Sequence, residues 1–160
     1  VKFNLALKQK GGERMKKKFF LFLVIFFFLP FSLYGGKENN YFYLFKWTLL
    51  QMKVDASQIS ELPKIIEMEQ KNFHDFLKMN FPYLLKQTEL KEIVAIYRPK
   101  KKEIYIIKDA HFCYLVHEFV HFIQFEIKKP SLKNSLTEKE RKRLEQEAKL
   151  IERRCFFLLD

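Results

Sequence analysis

Three observations predict an α+β fold for this chain. Its β-prone runs, a short one at 64–68 and the pair Ile93–Tyr97 and Ile104–Ile107, precede two long stretches of helical periodicity. A length of 160 residues suits one domain with at most a short accessory segment. Apolar residues make up 48% of it, 19 of them phenylalanine, which is enough for a packed core.

Each element has a local cause. The stretch "YFYLFKWTLLQM" (41–52) is long and apolar enough to back the core as a helix. After Pro63, the β-branched pair Ile65 and Ile66 marks a strand at 64–68. Residues 70–79 put Phe73, Phe76 and Leu77 on one helical face, and Asn80 and Pro82 stop that helix. Ile93–Tyr97 and Ile104–Ile107 flank a turn with Pro99 and three lysines, the clearest hairpin signal in the chain. Asp109 offers an N-cap for a helix running to about Lys128, with Pro130 ending it. Two overlapping capping boxes, Ser135 with Glu138 and Thr137 with Glu140, open the last helix, which runs to about Phe157.

The net charge of +11 is unevenly placed. Residues 1–36 hold seven of the basic residues and one acid, so residues 37–160 carry only +5, an ordinary surface that gives no reason to expect nucleic acid as a partner. The segment 15–36 has a basic start (Met15–Lys18), an apolar run from Phe19 to Leu29, then Pro30 and the small residues Gly35 and Gly36. This is the three-part layout of a secretory signal peptide, and the run is shorter than the ~20 residues of a membrane-spanning helix. The expected organisation is therefore a non-native leader at 1–14, a signal peptide at 15–36 and one domain at 37–160. Export to the periplasm or medium follows, with membrane anchoring only if the signal segment is retained. Export also means an oxidising compartment, where the two cysteines, Cys113 and Cys155, can pair.

The chemistry is concentrated in "YLVHEFVHFIQFE" (114–126), where His117, Glu118 and His121 interrupt an apolar helix. Residues four apart stack on one helical face, so His117 and His121 can aim two imidazoles at one point, as zinc requires. Glu118 lies one step round the helix, placed to take a proton from a metal-activated water. Burying three polar groups without compensation costs several kcal/mol, which argues against an idle pair of core histidines. A third ligand is needed. Position 127 is Ile rather than a third histidine, and Gln124 stands where metzincins have glycine, so that class is excluded. On the last helix the apolar stripe is Leu144, Ala148, Ile151, Cys155 and Leu158. Glu147 falls about 60° from its centre and Glu145 about 100° on the other side. Glu147 is the expected third ligand, with Glu145 the alternate.

"VHEFVHFIQ", followed by the Glu-Ala pair at 147–148, resembles the gluzincin zinc metallopeptidases over roughly residues 90–157. Length and layout are similar to small exported bacterial metallopeptidases. The resemblance implies a minimal zincin-like α+β domain, with a small antiparallel-containing sheet packed on the motif helix and a C-terminal glutamate helix. It implies Zn2+ as cofactor, His117, His121 and Glu147 as ligands, Glu118 as general base, and a peptide or protein as substrate. Two departures stand out. Thermolysin-like members have an aspartate four residues after the glutamate to orient a ligand histidine, where this chain has Ile151. Their oxyanion-facing histidine has no matching position, and Tyr97, Tyr105 and Tyr114 are the candidates instead. If the last two helices run antiparallel, Cys113 and Cys155 fall at one end, where a disulfide would lock both ligand-bearing helices. The alternative to an enzyme is a non-catalytic, zinc-stabilised binding module.

Overall fold

The computed structural model describes residues 37–84, 92–128 and 136–159. The expected leader, the signal segment and Ser135 of the first capping box lie outside them. The chain divides into Val1–Tyr43 and Leu44–Asp160, and the packing described below is that of the second unit, which holds the first helix from Leu44 onward. Four helices, α1 (Lys37–Met52), α2 (Gln70–Asn80), α3 (Cys113–Lys128) and α4 (Glu138–Leu159), accompany three strands, β1 (Lys64–Met68), β2 (Ala95–Arg98) and β3 (Glu103–Ile107). The fold is α+β, and no helix among the described residues is long and apolar enough to cross a membrane.

The hairpin forms where the β-branched runs predict it. Pro99–Lys101 makes a single 3-10 turn, and Lys102 takes a left-handed backbone, φ 52°. This lysine is anchored, with Nζ 2.8 Å from Glu61 and 3.1 Å from Glu126. β1 joins β3 in parallel and β2 joins it antiparallel, so the order is β1-β3-β2, with β1 and β2 the edges among the described residues. β3 alternates its side chains between two covered faces, which is why Ile104, Tyr105 and Ile106 are all buried. On one face Tyr105 stacks on Phe76 at 4.2 Å and joins Phe73 and Leu77 of α2. On the other, Tyr97 meets Phe122 of α3 edge-on at 5.7 Å, and Phe45 of α1 meets Phe119 at 5.2 Å.

The start of α3 differs from expectation. Asp109 has φ 60° and belongs to the turn that ends β3, where Ala110 N–H donates to the Ile107 carbonyl. The helix opens four residues later, and the His111 imidazole takes the capping role, its Nδ1 accepting from Cys113 N–H at 3.3 Å. Phe112 and Phe156 sandwich that ring at 4.5 and 4.6 Å. α4 begins as the second capping box predicts: Thr137 N–H and Oγ1 both donate to Glu140 Oε2, and Glu140 N–H donates back to Thr137 Oγ1. α3 and α4 pack side by side, antiparallel, through Val116, Val120, Ala148 and Ile151, all nearly or fully buried. The Cys113–Cys155 disulfide closes one end of that seam.

Candidate metal centre

The seam between α3 and α4 carries apolar residues along its middle and a wired set of polar side chains beside them. From α3, His117 Nε2 and His121 Nε2 face each other at 3.1 Å. From α4, the Glu145 carboxylate completes the group, Oε2 lying 3.3 Å from His121 Nε2 and Oε1 3.6 Å from His117 Nε2. The other nitrogen of each ring is held. His117 Nδ1 is 2.8 Å from Glu152 Oε2, and His121 Nδ1 is 3.0 Å from Gln124 Oε1.

These partners decide the tautomers. A carboxylate only accepts, so His117 carries its proton on Nδ1. Gln124 Nε2 donates to the Leu144 carbonyl and to Glu147 Oε2, which fixes the carboxamide with its oxygen toward His121. His121 therefore also carries its proton on Nδ1. Both Nε2 atoms then present bare lone pairs to one another and to a carboxylate, an arrangement that repels itself unless a cation lies between. Metal-ligating histidines are oriented in this way by their outer nitrogen. A tetrahedral zinc with bonds of about 2.0–2.1 Å spaces its ligand atoms about 3.3 Å apart, and the three separations here bracket that value. The residues fit the ion: His117, His121 and Glu145 can hold a metal.

The electrostatics agree. Burial pushes the His117 imidazolium down, but the Glu145 and Glu152 carboxylates outweigh it and raise the pKa to about 10. His117 and His121 hold the Glu145 carboxyl well below the usual carboxylate range. With no metal bound, the site thus retains a proton on imidazole in the place a metal would take. Glu118 is 7% exposed, and burial raises its carboxyl pKa while the two imidazoles and a hydrogen bond from the Tyr97 backbone amide lower it. A buried carboxylate with a raised pKa, beside two imidazoles, can serve as a proton acceptor.

It is Glu145, not the expected Glu147, that joins the two histidines in the group that could hold a metal. Glu147 is outside the convergent group; its Oε2 accepts from Gln124 and so braces the residue that orients His121. The two glutamates flank the same buried stripe. Which flank meets the histidines depends on how α4 crosses α3, and nothing within α4 encodes that. Sequence reasoning also missed Glu152 and Gln124. Glu152 holds the outer nitrogen of His117, and its signal was a second carboxylate two turns after Glu145, hence on the same flank. Among the tyrosines, Tyr105 lies on the α2 face, its hydroxyl donating to Glu103 at 2.6 Å. The Tyr97 hydroxyl is buried with no hydrogen-bond partner among the described residues, its ring packed on Phe122 and Phe125. Tyr114 packs edge-on against Phe156 near the disulfide. His74, beside Phe73, belongs to the α2 layer.

Among the described residues no strand pairs with the outer edge of β2, which borders Glu118. Ile107 N–H donates to the Val94 carbonyl, so the hydrogen-bonded pairs of the hairpin are 94–107, 96–105 and 98–103. The peptide groups of Ala95 and Tyr97 therefore point away from β3, and the Tyr97 amide on that edge is the one bound to Glu118. No protein-family model, no curated protein and no solved structure matches this chain.

Proposed function

We propose that this chain is a zinc-dependent hydrolase of peptide bonds with a minimal zincin-like domain. His117, His121 and Glu145 hold the ion and Glu118 is the general base. The observation that carries the reading is the convergence of two Nε2 atoms and one carboxylate beside a buried glutamate. Zinc bound there would polarise a substrate carbonyl and make a water acidic enough to attack it. The residues of the chain do the rest. Glu118 accepts the proton of the attacking water and returns it to the departing amine, its carboxylate steered by the Tyr97 amide. The outward peptide groups of β2, the Ala95 N–H and C=O and the Tyr97 C=O, can pair with an extended peptide by main-chain hydrogen bonds, holding a carbonyl across the site. Glu152 and Gln124 fix the two rings so that the donor atoms need no rearrangement.

Metal analysis of the purified protein tests this directly. One zinc per chain is expected, lost in Glu145→Ala and kept in Glu147→Ala. Glu118→Gln should keep its zinc and lose peptide hydrolysis by about 10²–10⁴-fold. Unchanged zinc content in Glu145→Ala would remove the ligand set. Zinc retained with no hydrolysis by the wild type of a peptide library would leave a zinc-stabilised binding module.

A further inference from the structure

We propose that Lys149 reads a carboxylate on the substrate, so that the site selects acidic peptides. This deepens the hydrolase reading and rests on it. The starting observation is the distribution of charge on α4. Its inward acids, Glu145, Glu147 and Glu152, are all engaged at the seam by the histidines and Gln124. Three of the four positions one turn either side of Glu145, namely Arg141, Lys142 and Lys149, are basic and exposed, the fourth being the buried Ala148. Lys142 is taken by Glu138 at 2.7 Å. Lys149 lies between Glu145 and Glu152 on the flank that faces the site, with Nζ 3.3 Å from Glu145 Oε1.

In the metal-free arrangement Lys149 is the solvent-side counter-ion of Glu145. Once a divalent cation takes the Glu145 charge, Lys149 faces a like charge a few ångströms away and loses its partner. Its ammonium is 58% exposed on a flexible four-carbon stem, so it can swing to the solvent side of the site. An anion bound beside the scissile carbonyl restores the balance, and a carboxylate is the anion a peptide supplies. It comes from an acidic side chain or from the chain's C-terminus.

Three hydroxamate probes of one malonyl-dipeptide skeleton separate the outcomes on the full, zinc-loaded chain by calorimetry: Ala-Ala amide (neutral), Ala-Ala with a free C-terminus, and Asp-Ala amide. At least one acidic probe should bind about three- to fivefold more tightly than the neutral one. Which one does so identifies the source of the carboxylate. The gap should vanish in Lys149→Ala and persist in Lys149→Arg. Zinc affinity, measured by chelator competition, should tighten in Lys149→Ala by about threefold as a like charge is removed. Equal binding of all three probes overturns the role of Lys149 while leaving the metal reading intact. Weaker zinc binding in Lys149→Ala overturns it too, making the lysine a brace for Glu145. No zinc and no probe binding at all would sink the hydrolase reading and this inference together.

Discussion

On one face of the sheet, Phe73 and Leu77 of α2 are fully buried against Tyr105, and the cation that enters this layer, Arg98, sits 5.7–5.9 Å from the Phe76, Phe81 and Tyr105 rings. On the other face, beyond α3, the seam with α4 holds two imidazoles, a carboxamide and the carboxylates of Glu145, Glu147 and Glu152. The first region is held by area removed from water. The second contributes little area per polar group and would be a liability unless every group were engaged. Its hydrogen bonds run in one chain: Glu152 to His117, and Glu147 to Gln124 to His121, with both rings meeting at Glu145. The contrast separates two jobs that a core can do. The α2 layer keeps the chain folded, and the seam keeps donor atoms aimed.

That separation predicts opposite phenotypes. Phe73→Ala should have the largest effect on folding, about 3–5 kcal/mol in denaturant unfolding, because a fully buried ring leaves a cavity. Zinc affinity of the fraction that remains folded should be unchanged. A parallel loss of zinc affinity would show that the two layers are coupled. Next in size is the disulfide, which spans 42 residues. Replacing Cys113 and Cys155 together by serine should cost about 4 kcal/mol on the chain-entropy account. Because that cost arises in the unfolded chain, whereas zinc acts on the folded one, it should be the same with and without zinc. A larger loss in the zinc-loaded protein would mean that the disulfide also positions the ligands.

Much of this was readable in the chain. β1 falls on residues 64–68 as expected, and α2 ends at Asn80, where the Phe81 amide closes on the Leu77 carbonyl and the Asn80 side chain on that of Phe76. These are local effects, settled within one turn or one strand. The histidine pair is local in the same sense, since a spacing of four sets its geometry. What stayed hidden depends on pairing between distant elements. The parallel join of β1 to β3 links residues about 40 apart, and neither run announces its partner. Glu145 and Glu147 differ only in which flank of α4 they occupy, so the choice waits on the crossing of two helices. Asp109 misled for another reason: an aspartate serves a left-handed turn as well as an N-cap, and the end of β3 claimed it first.

Glu152→Gln sharpens the comparison at the seam itself. The substitution keeps the size of the side chain and a hydrogen bond to His117 Nδ1, but removes the charge that supports the ring. Zinc affinity should fall by about 10–100-fold, as it does when the orienting partners of metal-bound histidines are changed. Unfolding of the zinc-free protein should move less, because the substitution keeps the volume of this largely buried side chain and its hydrogen bond. An unchanged zinc affinity would mean that Gln124 alone holds the rings in register.

The smallest expected effect tests whether α4 acts as a rigid arm. Thr137 caps the helix two turns before Glu145, exposed and far from the α2 layer. Thr137→Ala removes the side-chain half of the capping box and should cost about 1 kcal/mol. The Glu140 carboxyl, now held below its ordinary range by Thr137, should titrate higher in the variant by NMR. If the helix frays only over its first turn, Glu145 keeps its place and zinc affinity is unaltered. A measurable fall in zinc affinity would show that the cap helps to register the carboxylate against the two imidazoles, and that the separation between folding and aiming breaks down along α4.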